Sequence, residues 1–159
     1  MNIFSFIGTE TSVIGYNDLK TAPVYFNVQR NSSYTINSTV VPYNFEQLNI
    51  GGAMNLTSGV FTVPVSGRYF FSFVGRAFST ETFVFLRVNG SLNTIAYGSG
   101  LWFNFVITAT LNLKKNDLVD VYLYGGSLFD SPSHYTQFTG ILLEEDLRSF
   151  QTILYKSLI

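Results

Sequence analysis

Apolar residues fall at every second position over long stretches of this 159-residue chain. Val24, Phe26 and Val28 alternate with Tyr25, Asn27 and Gln29. Between Leu101 and Leu113, the residues Leu101, Phe103, Phe105, Ile107, Ala109, Leu111 and Leu113 take alternate places. A period of two held that long cannot lie along one stripe of a helix, so it predicts a strand. Arg68 to Ala77 predicts another, with Tyr69, Phe71 and Phe73 on one face and Phe70 and Val74 on the other. Leu118 to Tyr124 puts Val119, Val121 and Leu123 on one face. Phe83–Val88 and Leu92–Tyr97 flank Asn89-Gly90. That dipeptide between apolar runs predicts a hairpin, because both residues tolerate positive φ. Thr39–Phe45, broken by Pro42, reads as an edge or bent strand. Asn49 to Gly52 reads as a loop, Val60–Val63 as a short strand and Tyr135–Leu143 as the last strand. About ten strands with turn residues every 8–12 positions predict an all-β sandwich or barrel.

The ends differ. Residues 1–22 show no clear period and read as an N-terminal extension. In residues 144–159, Glu144-Glu145-Asp146 precede Leu147, Phe150, Leu154 and Leu158 at helical spacing. Acidic residues suit a helix N-terminus, so this tail reads as a short amphipathic helix or a frayed end.

Composition sharpens the picture. The chain is 47% hydrophobic, 17% aromatic and 12% charged, about half the charge of an ordinary globular protein. Disorder is excluded. A net charge of −1 gives no footprint for nucleic acid. So little charge on a wholly aromatic-rich sandwich implies that part of its apolar surface meets another subunit. There is no cysteine, which excludes disulfides, thiolate zinc sites and thiol catalysis. No apolar run is long enough for a membrane-spanning helix, and Met1–Gly8 does not read as a signal peptide.

The stretch Tyr43 to Phe73 resembles the signature of the C1q globular domain. Asn49, Phe61, Gly67, Tyr69, Phe71 and Phe73 stand at that pattern's spacings, while Tyr43 replaces a Phe and Met54 an aromatic or Leu. Val24-Tyr25-Phe26 resembles the family's opening strand. Leu113-Lys114-Lys115-Asn116-Asp117-Leu118-Val119 resembles its Leu-x-x-Gly-Asp-x-Val turn, with Asn116 for Gly. Phe138-Thr139-Gly140-Ile141-Leu142-Leu143 resembles its closing strand. The likeness covers residues 23–143, and the Asn-Ser-Ser and Leu-Thr-Ser-Gly wording resembles invertebrate members. It implies a ten-stranded jelly-roll β-sandwich of the C1q and tumour-necrosis-factor type, assembled as a homotrimer or as a heterotrimer of close relatives. No collagen-like Gly-X-Y repeat occurs in the chain.

Chemistry-bearing residues are few. His134, the single histidine, sits in Asp130-Ser131-Pro132-Ser133-His134. Ser, His and acid adjacent in one loop do not form a triad, so the chain does not read as an enzyme. Asp117 and Asp120 are candidate calcium ligands, since hard cations take carboxylate oxygens and the resemblance implies calcium in some relatives. Otherwise Asp117 caps its turn and Asp120 faces solvent. Of the Asn-x-Ser/Thr sequons at Asn31, Asn37, Asn55 and Asn89, Asn31 and Asn37 lie in a polar loop that suits glycosylation. Asn89 reads as turn chemistry. The signature aromatics Tyr43, Phe61, Tyr69, Phe71, Phe73 and Phe138 fill the sandwich or line the trimer, with the core as the default. Tyr122, Tyr124 and Trp102 are candidate exposed contacts.

The resemblance implies a secreted, trimeric binding module, with a role in innate immune recognition among its uses. The rival readings are a structural or adhesive trimerisation head and a cytokine-like receptor ligand. The protein or carbohydrate ligand is open.

Overall fold

A computed structural model describes residues 20–21, 23–79 and 81–146. Eleven strands run through them: β1 (Tyr25–Gln29), β2 (Thr39–Val40), β3 (Phe45–Ile50), β4 (Met54–Asn55), β5 (Val60–Thr62), β6 (Gly67–Arg76), β7 (Glu81–Val88), β8 (Ser91–Ser99), β9 (Asn104–Leu113), β10 (Leu118–Gly125) and β11 (Gln137–Glu145). They form two antiparallel sheets. One has the order β3-β1-β11-β6-β9 and the other β4-β5-β10-β7-β8, with β2 paired to β10. No helix among the described residues is long and apolar enough to cross a membrane.

Alternation decides what each sheet shows to the other. Every second side chain of β6 and β9 turns inward, and Tyr69, Phe71, Phe73, Phe105 and Ile107 are buried there. From the facing sheet come Phe61, Val84, Leu86, Val119, Val121 and Leu123. Phe138 of β11 sits at the middle. Its ring centroid lies 5.0 Å from that of Phe26, 6.0 Å from those of Tyr43 and Phe71, and 6.5 Å from that of Phe73. Phe61 joins the same cluster, 5.8 Å from Tyr69. The signature aromatics are therefore core residues, and none of the six lines an outer face. Rings at such separations add about 0.5–1.5 kcal/mol per pair beyond their buried area. Gly140 makes room for them: a Cβ there would stand 2.4 Å from a Phe26 ring carbon.

The differences from the sequence reading have local causes. The Leu101–Leu113 run forms a strand only from Asn104. Trp102 takes φ 64°, which turns the chain and breaks the alternation. Thr39–Phe45 is not one strand. Arg30 donates to the Pro42 carbonyl, Tyr43 N–H donates to Leu56 O, and β3 begins at Phe45. Asn49 and Ile50 end β3 instead of opening a loop, and Met54–Asn55 adds an eleventh strand to the ten expected. Glu144 and Glu145 do not start a helix. They extend β11 past residue 143, opposite Arg68 and Gly67. Residues 1–19 and the rest of the tail, 147–159, lie outside the described residues, so the helical spacing beginning at Leu147 does too.

Two turns form as their residues dictate. Asn89 and Gly90 take φ 52° and 77° in the β7–β8 hairpin, and Asn116 takes φ 73° in place of the family's glycine.

Phe138→Ala is expected to cost about 3–5 kcal/mol, because it opens a cavity among four rings; urea unfolding measures this. Alkaline titration gives a second check. Tyr69 is fully buried, its Oη donates to Val65 O at 2.7 Å, and burial pushes its phenol from 10.0 up to about 12. The stability held by that neutral phenol is complete below pH 10 and drains away as pH rises through 12. Tyrosinate absorbance is expected to show Tyr69 ionising at about 12 in the folded protein, above its ordinary value. A Tyr69 that titrates at the ordinary value in folded protein contradicts the packing.

Candidate binding surfaces

With the interior filled, the outward faces carry what is left. On the five-stranded sheet, register lines up three rows. Tyr25, Ile141, Phe70 and Thr110 form one; Asn27, Thr139, Ser72 and Thr108 the next; Gln29, Gln137, Val74 and Val106 the third. None of these positions carries a charge, and Val106 is 58% exposed. Charge returns beyond the rows. Arg68 stands at one end, 3.1 Å from Glu144, Arg76 stands at the other, and Glu46 is exposed on the edge strand β3.

The outward face of the six-stranded sheet is aromatic as well but polar at its tips. Phe83 pairs with Tyr97 and Phe85 with Ile95 across β7–β8. Phe85 stacks on Tyr124 at 5.1 Å and on Tyr122 at 6.3 Å. Tyr124 is exposed as expected, but Tyr122 is only half-buried surface, covered by Arg87. The Arg87 guanidinium carbon lies 3.8 Å from the Tyr122 ring centroid. Its Nε and Nη2 donate to the two Asp120 oxygens at 2.7 and 3.1 Å. Asp120 therefore does not face solvent: its side chain is 7% exposed and both oxygens are engaged.

Asp117 caps its turn. Its carboxylate accepts from Lys114 N–H at 2.8 Å and Asn89 Nδ2 at 2.9 Å. Those bonds, the Asn89 one foremost, hold its pKa below the ordinary carboxylate value. The two candidate calcium ligands have different partners, and no group of three acidic or histidine side chains placed to hold a metal occurs among the described residues.

The Asp130–His134 loop is closed on itself. Asp130 accepts from the backbone N–H groups of Ser131, Tyr135 and Thr136. His134 Nδ1 lies 2.9 Å from Arg30 O, and its ring packs 4.4 Å from that of Phe45. Serine, histidine and acid here order a loop. Asn31, Asn37 and Asn55 are exposed. Asn89 is exposed too, but its amide is bonded twice, to Asp117 Oδ1 and from Leu118 N–H.

A third surface was only partly legible. Trp102 projects from the β8–β9 turn and is 46% exposed. Arg76, at the end of β6, lies beneath it. The guanidinium carbon is 5.0 Å from the Trp102 ring, 5.3 Å from Tyr135 and 5.9 Å from Phe129. Phe78 completes the cluster, 5.3 Å from Trp102. A left-handed φ in a bulky residue such as Trp102 costs about 1–3 kcal/mol. Three loops are tied together around the ring cluster by Ala77 N–H to Phe103 O, Phe78 N–H to Ser127 O and Phe129 N–H to Arg76 O.

Two facing antiparallel sheets, a ring-filled interior and loop clusters at the ends define a jelly-roll fold. The family profile described as C1q domain matches residues 25–143, and the chain belongs to that family. Caprin-2 of Danio rerio is 29% identical over 130 residues, which is 77% of this chain but only 14% of that protein. The chain thus spans about one-seventh of the curated relative's length. Among solved structures, the globular domain of zebrafish complement 1qA protein superposes with a TM-score of 0.67 at 19% identity, covering 77% of this chain and 99% of that one. Murine APRIL gives 0.61 at 13% identity, over 76% and 99%. Eiger TNF from S. frugiperda gives 0.56 at 12%, over 79% and 95%. These structural likenesses concern the fold.

Removing one partner of the Arg87–Asp120 pair is expected to destabilise by about 3–5 kcal/mol, because it strands a buried charge. The double variant Arg87→Met with Asp120→Leu is expected to lose less than either single truncation, and a thermodynamic cycle measures it. For Asp117 the sign is that of a depressed acid. Its support of the turn is present above the ordinary carboxylate pKa and lost as pH falls through the lowered value. Asp117→Asn is expected to flatten that acid limb in pH-dependent unfolding.

Proposed function

We propose that this chain is one subunit of a homotrimeric, extracellular binding head that serves innate immune recognition. The observation that carries the reading is the three uncharged central rows on the outward face of the five-stranded sheet. Apolar area of that kind, free of the lysines and glutamates that keep a monomer apart, suits burial against a like surface. The opposite sheet carries the Arg87–Asp120 pair among its rings, so it suits solvent or a ligand better. Membership of the C1q domain family supports assembly in threes.

The gain from such assembly is avidity. Three identical weak sites held at fixed spacing bind an array far more tightly than one. Exposure of Asn31 and Asn37 in the β1–β2 connection supports their use as glycan acceptors in a secreted product. A trimer that binds no array favours a structural or adhesive head instead.

Light scattering of the purified chain is expected to give a mass near three times 17.8 kDa. Val106→Asp places a charge where the side chain is already exposed, so folding is left intact while the face is spoiled; a folded monomer is expected. Wild-type protein that stays monomeric at high concentration overturns the reading.

A further inference from the structure

We propose that Arg76, with Trp102 and Tyr135, forms a binding site for a carboxylate-bearing sugar of the uronic-acid class. This rests on the binding-module reading and names a ligand class for it; it does not need the three-fold assembly. The cation is the starting point. Arg30, Arg68 and Arg87 all donate side-chain hydrogen bonds, and Arg68 and Arg87 are ion-paired. Arg76 has neither kind of partner among the described residues. Its Nε is buried with nothing to accept its proton, while its guanidinium is held by Trp102, Tyr135 and Phe129.

Stacking uses the faces of a guanidinium and leaves its in-plane N–H fork free. That fork matches a carboxylate in two parallel bonds. This guanidinium stands at the end of the uncharged rows and has no ion pair among the described residues, while Asp130 and Glu81 accept hydrogen bonds from other groups.

The surroundings select a sugar over a peptide. The Trp102 indole and the Phe78 ring are half-exposed apolar plates, a surface suited to the C–H face of a pyranose. The indole N–H and the Tyr135 hydroxyl make no hydrogen bond among the described residues and are available to sugar hydroxyls. An extended peptide instead needs unpaired main chain. Here the N–H groups of Ala77, Phe78 and Phe129 and the carbonyl of Phe103 are already paired.

Trp102 is the single tryptophan of the chain, so fluorescence excited at the red edge, where the tyrosines do not absorb, reports this site alone. The full chain is titrated with a hyaluronan tetrasaccharide, with chitotetraose as the neutral control and tetraglutamate as the acidic peptide control. The expected result is a saturable spectral change with the uronate oligosaccharide, at least tenfold weaker with either control. Arg76→Gln is expected to weaken uronate binding tenfold or more, and Arg76→Lys, which keeps the charge without the fork, fivefold or more. If Arg76→Gln does not fold, the lysine variant decides. No saturable change, equal affinity for chitotetraose or tetraglutamate, or unaltered binding in the lysine variant would overturn the proposal. Mass measured on the same sample separates the cases: a trimer without the uronate response sinks this site alone, whereas a monomer that gives the response sinks the trimeric reading alone.

Discussion

One constraint governs the rest: the space between the two sheets is finite and is filled by rings. Phe26, Phe61, Tyr69, Phe71, Phe73 and Phe138 are all essentially inaccessible and touch one another in an unbroken cluster. Interiors at crystalline density accept no surplus. In a chain with 16 Phe and 10 Tyr, many aromatic and aliphatic side chains must then stand outside. Because a strand alternates strictly, whichever residues occupy the second parity of β6, β9 and β11 become surface, apolar or not. Phe70, Val74, Val106 and Ile141 are outside for this reason.

The two outer faces treat that surplus differently. On the six-stranded sheet, the Arg87–Asp120 pair lies among the rings, and Arg87 covers Tyr122 with its own guanidinium. The surface there is aromatic but wetted by charge. The five-stranded face has no such device in its three central rows, which is why it is the one assigned to neighbouring subunits. Arg76 and Trp102 stand where that face ends and the loops begin, so a cluster of half-exposed rings borders the uncharged rows.

Much of this was legible in the residues themselves. A period of two placed β6, β9 and β10 and their inward faces, since alternation is a local property. Asn89-Gly90 and Asn116 announced turns because their backbones tolerate positive φ, and those φ values are found. The ordered aromatic landmarks gave the family. What escaped was made by contacts distant in sequence. Asp120 looks like a solvent-facing acid in its own strand; only pairing with β7 brings Arg87 to it. Arg76, Phe129 and Tyr135 come from separate elements, and no local pattern joins them to Trp102. Glu144 and Glu145 resemble a helix start, yet the sheet claims them through β6. Trp102 shows the limit of periodicity most plainly: the alternation runs through it unbroken, while its backbone has already turned.

The central claim is that the face bearing the uncharged rows is covered by copies of the chain, and chemical accessibility tests it most directly. The chain has no cysteine, so a single Thr108→Cys places one thiol in the middle row of that face, at a position exposed in the isolated subunit. Asn93→Cys, exposed on the other sheet, serves as reference. The account predicts that a maleimide reacts with the Thr108→Cys thiol at least tenfold more slowly than with the reference in concentrated protein, and equally fast once dilution separates the subunits. Equal rates at every concentration would contradict it.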